Sequence, residues 1–259
     1  MNDILAELCA QRQADAFEHE RRFPYRDILR TLGDVPPALD FLAPFKRRRG
    51  THIIAELKKA SPSEGMIRKD FHPLELAEEL VDAGASALSV LCEPRRFLGS
   101  EEYLRRVRMV ADVPILCKDF ISTRYQVAEA RMAGADAVLL IVAALNDADL
   151  AALRAYANEL GMVALCETHT AKEVERAVNL EFKMIGVNCR DLRDFSVDGR
   201  VFAELVAQIP RSCVKIAESG MHTREDIIAA QAAGANGFLV GTALMRAERP
   251  GLKLKELMK

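Results

Sequence analysis

Apolar runs along this chain end, one after another, in isolated charged or amide residues: HIIAELK in Glu56 and Lys58, PILCK in Lys118, MVALCE in Glu167, MIGVN in Asn188 and VKIAE in Glu218. Between the runs lie segments such as LELAEELVDAG, YQVAEARMAG and REDIIAAQAAG, with apolar positions three and four apart and a glycine at the end, the pattern of helices that bury one face. Runs that are apolar throughout describe strands covered on both sides. The pattern predicts eight strands, near His52 to Leu57, Ala87 to Leu91, Pro114 to Cys117, Ala137 to Ile141, Met162 to Cys166, Met184 to Val187, Val214 to Ala217 and Gly237 to Val240. Strand and helix alternate over the whole length, which predicts an α/β fold with a closed parallel sheet, a (β/α)8 TIM barrel. An open doubly wound sheet is the alternative, but it would carry a Gly-rich dinucleotide turn after its first strand, and no G-x-G-x-x-G occurs.

Internal repetition agrees with the barrel. DAGASALSV, MAGADAVLL and AAGANGFLV place Gly84, Gly134 and Gly234 at one point of a helix, glycine, strand unit, and the spacings are 134 − 84 = 50 and 234 − 134 = 100. A period of 50 is two βα units, and glycine suits the left-handed conformation that ends a helix. The 259 residues match the roughly 250 that such a barrel takes. We expect one domain over 1–259, a helical extension over 1–48 followed by the barrel over 49–259. The extension reads as helices from Asp3 to about Glu20 and from Tyr25 to about Leu32, then the connection DVPPALDFLAPF. It either packs under the barrel or forms a lid whose apolar Phe41, Leu42 and Phe45 cover the catalytic mouth.

Composition narrows the function classes. Half the residues are hydrophobic and 29% are charged, as in an ordinary globular protein with a large core. A formal net charge of −2 gives no field for polyanions, and the basic runs Lys46 to Arg49 and Arg105 to Arg108 are short and read as solvated faces, so no nucleic-acid partner is expected. The N-terminal MNDILAELCAQRQ lacks the long apolar stretch of a signal peptide or anchor, so the expected location is cytoplasmic, without a membrane partner. Six cysteines stand singly, with no C-x-x-C pair and no histidine at ligand spacing, and no metal site is expected. Cys92, Cys117, Cys166 and Cys189 fall near predicted strand ends, from which their oxidation would reach the pocket.

Strand parity assigns the candidate chemistry. Glu56 and Lys58 are two apart and share a face above Ile54, and the following SPS loop offers the hydroxyls of Ser61 and Ser63. Lys118 and Phe120 share the inward parity on the third strand, with Asp119 turned away, and Glu167 ends the fifth above Leu165 and Val163. Ionised groups at such positions must be paired or face a ligand. Lys118 therefore either forms an ion pair with Glu56 or Glu167 across the barrel or exchanges protons with a substrate. His169, in the next loop, reads as a surface residue. Asn188 and Arg190 share a parity after strand six, Glu218 ends strand seven before Ser219 and Gly220, and Gly241 and Thr242 open a helix after strand eight. Backbone N–H groups of the last two loops and that helix start suit an anion, and a phosphorylated small molecule is the expected ligand.

The segments AELKKASPSEG, VLCEPRRFLGS, CKDF, CETH, GVNCRDL, IAESG and LVGTALM resemble, in order and spacing, those of the indole-3-glycerol phosphate synthase family, from about Ile53 to Leu244. The resemblance implies a cofactor-free and metal-free ring closure of 1-(2-carboxyphenylamino)-1-deoxyribulose 5-phosphate to indole-3-glycerol phosphate, with loss of CO2 and water, in tryptophan biosynthesis. It implies Lys118 and Glu167 as an acid and base pair, Lys58 as a second catalytic cation near the substrate carboxylate, and Glu56 and Asn188 as catalytic-site partners that orient it. Ser61, Arg190, Glu218 and Ser219 would line the substrate, with Ser61, Gly220, Gly241 and Thr242 at the phosphate and Phe97 and Phe120 against the aromatic ring. Departures from the family wording are Thr168, Cys189 and Leu98. Two enzyme and binding alternatives, a phosphoribosylanthranilate isomerase and a phosphometabolite-binding barrel, would share the Gly220 and Gly241 ending. The first should lack the Glu56, Lys58 and SPS set, and the second has no need of two inward lysines. A purely structural subunit would only be destabilised by strand-end charges.

Overall fold

The computed structural model describes residues 4–47, 49–190 and 200–259. Among them, eight parallel strands close into a barrel: β1 (Ile53–Leu57), β2 (Ala87–Leu91), β3 (Ile115–Lys118), β4 (Ala137–Ile141), β5 (Val163–Thr168), β6 (Met184–Asn188), β7 (Val214–Glu218) and β8 (Gly237–Val240). Each pairs with the next, and β8 pairs back to β1 through Ile53, Ile54 and Ala55. The expected strands are all present, and β3, β5, β6 and β7 run on to include Lys118, Glu167, Asn188 and Glu218. A polar side chain at the tip does not end the backbone ladder, because the neighbouring strand still supplies the partners.

The intervening helices are α3 (Pro73–Asp82), α4 (Glu101–Arg108), α5 (Arg124–Met132), α6 (Asp147–Glu159), α7 (Ala171–Asn179), α8 (Arg200–Val206), α9 (Arg224–Ala233), α10 (Thr242–Arg246) and α11 (Pro250–Met258). Gly84, Gly134 and Gly234 sit at φ +100°, +96° and +118°, the left-handed turn that the 50-residue repeat predicts. Side chains of Ser100, Thr123, Asn146, Thr170 and Thr223 accept from the first-turn N–H groups of α4, α5, α6, α7 and α9, so each helix starts at a defined point just beyond the mouth.

Parity divides the core into two layers. Ile54, Leu116, Leu165, Met184, Ile216 and Leu239 fill the barrel, whereas Ile53, Ala55, Leu57, Val90, Cys117 and Val187 pack outward against the helices. The four cysteines at the strand ends belong to this outer layer, Cys92 and Cys117 with sulfurs 3.6 Å apart, and none lines the mouth. Their outward parity therefore removes the expected direct route from cysteine oxidation to the pocket.

The N-terminal extension serves both ends of the barrel. Helix α1 (Ile4–Arg22) lies on the mouth side, with Asp3 outside the described residues; its buried Arg12 bonds Asp119, just after β3, at 3.0 and 2.6 Å, and its Asp15 bonds Arg95 at 2.6 Å. Helix α2 (Tyr25–Thr31) follows, and its Tyr25 hydroxyl donates to Tyr156 on α6. The chain then crosses to the opposite end. Leu39 N–H donates to Asp136 before β4, and the fully buried Phe41 and Phe45 close the base, Phe45 lying against Gly237 and Ile216. The lid reading of Phe41, Leu42 and Phe45 is thus corrected: this connection is a plug under the barrel. Arg108, expected on a solvated face, turns inward to Asp136 at 2.8 Å.

Candidate active site

The strand tips bring the predicted charges into direct contact. Lys118 Nζ lies between two carboxylates, 2.8 Å from Glu167 Oε2 and 2.9 Å from Glu218 Oε2. On the adjoining β1 side, Lys58 Nζ is 2.8 Å from Glu56 Oε1. Burial works against the Lys118 ammonium, but the charges of Glu167, Glu218 and Glu56 outweigh it and hold the group protonated well above the ordinary lysine range. Burial likewise opposes ionisation of Glu167, yet Lys118, His169 and Asn188 together keep its carboxylate below the usual range. For Glu218, burial and the neighbouring Glu167 prevail over Lys118, and its carboxyl is pushed up to about 7. One buried cluster thus holds an ammonium, a carboxylate and a carboxyl that titrates near neutrality, so it can both give and take protons.

Two glycines make room for these groups. A Cβ on Gly186 of β6 would collide with Glu218 Oε1, and a Cβ on Gly241 would collide with Glu56 Oε1 and sit 3.1 Å from Lys58 Nζ. Gly241, expected only at an anion site, is therefore also what lets the Glu56–Lys58 pair stand upright. Gly186 sits in the inward row of β6, where a strand glycine marks a close approach.

Loops complete the mouth. Asn188 Oδ1 accepts from the Arg190 N–H at 3.0 Å and from the Ser219 hydroxyl at 2.7 Å, joining the ends of β6 and β7. Ser219 and Gly220 both have positive φ, +65° and +75°, so the chain turns sharply there, and the Ser219 hydroxyl bond helps hold a conformation that serine rarely adopts. Arg190 lies 3.8 Å from Glu64, whose N–H is held by the Ser61 hydroxyl at 3.2 Å in the short hairpin after β1. Phe97 and Phe120 face each other with centroids 6.0 Å apart. Fully buried Glu93 fixes the Phe97 loop by accepting from the N–H groups of Arg95, Arg96 and Phe97 at 2.7, 2.7 and 2.8 Å. Leu98 takes φ +52° beside Gly99, whose missing side chain admits the Leu91 carbonyl.

Glu56, Lys58, Ser61, Phe97, Lys118, Phe120, Glu167, Asn188, Arg190, Glu218, Ser219, Gly220, Gly241 and Thr242 all line one cavity at the mouth. Asp191 and Leu192 of GVNCRDL lie outside the described residues. Leu91, Leu139, Ile141 and Leu239 add an apolar wall, and their inward parity was the available sequence signal. His169 corrects the sequence reading: its side chain is 13% exposed and Nε2 is 3.5 Å from Glu167 Oε1. Among the described residues, His19, Glu101 and Glu129 bring ligand-type atoms within 4.8 Å of one another where α1 meets α4 and α5, and none of the three lines the cavity.

A parallel barrel whose strand tips carry paired lysines and carboxylates, beside a tight Ser219–Gly220 turn, has the architecture of a barrel enzyme acting at its C-terminal face. Solved barrels share that architecture: thiamine phosphate pyrophosphorylase from Pyrococcus furiosus superposes with TM-score 0.60 over 80% of this chain and 93% of its own at 15% identity, and N-acetylmannosamine-6-phosphate 2-epimerase from Clostridium perfringens with 0.59 over 74% and 86% at 18%. These show the fold alone. The indole-3-glycerol phosphate synthase family model matches residues 5–257, and the chain belongs to that family. Indole-3-glycerol phosphate synthases of Acidithiobacillus ferrooxidans and Koribacter versatilis are 41% and 47% identical to it, over 99% of both chains and 82% of both chains respectively.

Proposed function

We propose that this chain closes the indole ring of 1-(2-carboxyphenylamino)-1-deoxyribulose 5-phosphate, releasing CO2 and water and forming indole-3-glycerol phosphate for tryptophan biosynthesis. Family membership over nearly the whole chain supports the reaction, and the observation that carries the assignment of residues is the Glu167–Lys118–Glu218 cluster beside the Glu56–Lys58 pair. The aryl carbon attacks the ketone carbon as an ammonium protonates the ketone oxygen; the carboxylate leaves as CO2, and the new hydroxyl then departs as water after protonation. Lys118, held protonated, and Lys58 are the two acids, while Glu167 accepts the proton lost from the methylene carbon of the new ring as the hydroxyl leaves. Glu56 and Asn188 orient these groups, and Phe97 with Phe120 packs against the aromatic ring. Ser61, Arg190, Glu218 and Ser219 line the substrate, and Ser61, Gly220, Gly241 and Thr242 take the phosphate, the left-handed Gly220 supporting a turn that presents N–H groups.

We read the reaction as needing no metal or cofactor, the ligand as a small phosphorylated molecule, and the location as cytoplasmic; no helix of the described residues is long and apolar enough to cross a membrane. We also read 1–259 as one domain, with 1–48 as its extension, a reading supported by the buried Arg12–Asp119 pair and the Phe45 plug. The test is incubation of the purified protein with the anilino-ketose phosphate. Indole fluorescence should grow with time, and its absence with folded protein would remove the proposal. Activity abolished by a chelator and restored by a metal would overturn the cofactor-free part.

A further inference from the structure

His169 stands behind the reacting cluster. Its ring is wedged between two carboxylates, with Nε2 3.5 Å from Glu167 Oε1 and Nδ1 3.4 Å from Glu173 Oε2. Glu173 is itself fixed in the first turn of α7, where its carboxylate accepts from the His169 N–H at 2.8 Å and its own N–H donates to Thr170. Both ring nitrogens are shut off from solvent without a well-aligned hydrogen bond, so charge attraction is what the pocket offers the ring. Glu167 is faced by Lys118 from β3, Asn188 from β6 and Glu218 from β7, while Glu173 faces the ring from α7. Of the two cations on α7, Lys172 is exposed, and Arg176 is committed to Asp147 and to the carbonyls of Val142 and Leu145.

We propose that His169 is a positioning residue for Glu167: its imidazolium, clamped by Glu173, holds Oε1 of Glu167 in place and keeps that carboxylate ionised while Lys118 holds Oε2. Burial opposes the imidazolium, but Glu173, Glu167 and Glu218 raise its pKa above the ordinary 6.5. The inference rests on reading Glu167 as the base. A neutral imidazole would leave buried Glu167 and half-buried Glu173 facing a ring that can donate to only one of them.

The test has two arms. In the substrate-free protein, the imidazole signal of His169, assigned by its loss in His169→Gln, should titrate above 6.5 in NMR and move down in Glu173→Gln. A wild-type midpoint at or below 6.5 would overturn the proposal whatever the enzyme's activity. In the assay, His169→Leu should lower kcat about tenfold, equivalent to about 1.4 kcal/mol in the barrier, with KM within about threefold. His169→Gln should recover part of the loss, since its amide N–H still reaches Oε1. A folded His169→Leu protein with wild-type kcat, or a Gln variant no better than Leu, would equally overturn it. A wild type inert toward the anilino-ketose would instead strike the reading of Glu167 as base, with the NMR arm still deciding the charge of His169.

Discussion

Lys118 serves two carboxylates at once, and that decides how its removal should be read. A simple buried ion pair loses roughly 3 to 5 kcal/mol when one partner goes, because the other is left charged and unpaired. Here Glu218 already sits at about 7 and takes up a proton readily, so Lys118→Met leaves a cluster that can neutralise itself. We expect Lys118→Met and Glu167→Gln each to lower kcat by about a hundredfold to ten-thousandfold with KM within a few fold, the range of a lost general acid or base. Thermal melting gives the contrasting outcome: a variant melting far lower, yet turning over at the wild-type rate where folded, would make the cluster structural. Without the ammonium the carboxyls hold protons more tightly, so Lys118→Met should melt closer to wild type at pH 6 than at pH 8.

At the scale of elements, α1 is tied to the barrel by charges of unequal comfort. Arg12, with Asp119, Asp15 and Glu101 around it, is well neutralised, and the Arg95 hydrogen bond holds Asp15 down to about 2 against its burial. Glu129 is the opposite case. Burial, and then the nearby Glu101, push its carboxyl up to about 8, with His19 on α1 at 3.3 Å as its partner. A raised carboxyl binds its proton more tightly folded than unfolded, so its contribution is fully present below the unfolded value of 4.5 and is lost as pH climbs toward 8. Glu129→Gln should therefore melt above wild type at pH 8, with the advantage shrinking toward pH 5. A melting difference that is the same at both pH values would show that Glu129 is ionised in the fold at pH 5 as well as pH 8.

The described residues form a barrel plugged at one end and lined with paired charges at the other. Phe45 is fully buried against Gly237 and Ile216, and its ring meets His52 edge-on at 6.3 Å. Truncation opens a cavity where the apolar interior would otherwise end, and Phe45→Ala should cost about 3 to 5 kcal/mol. Because the plug lies across the barrel from Lys118, kcat measured well below the melting point should stay near wild type. A loss of kcat comparable to that of Lys118→Met in the folded variant would show that the plug sets the geometry of the mouth.

The linear chain by itself determined the barrel, its eight strands and the inward residues of the site, because each of these follows from a local period. Two-residue alternation puts Glu56 and Lys58, or Lys118 and Phe120, on one face, and the glycine repeat times the helix ends. Which charges touch is a matter of closure. Lys118 meets both Glu167 and Glu218, 49 and 100 residues away, only once β3, β5 and β7 are curled round one axis. His169 looked exposed because its loop position says nothing of Glu173 folding back from α7 to cover it. The room that Gly186 leaves for Glu218, and that Gly241 leaves for Glu56, is likewise invisible along the chain, since it exists only between neighbouring strands. Phe41 and Phe45 have the composition of a lid as much as of a plug. Their place was decided by where the chain crosses after α2, under a barrel whose apolar interior had no other cover.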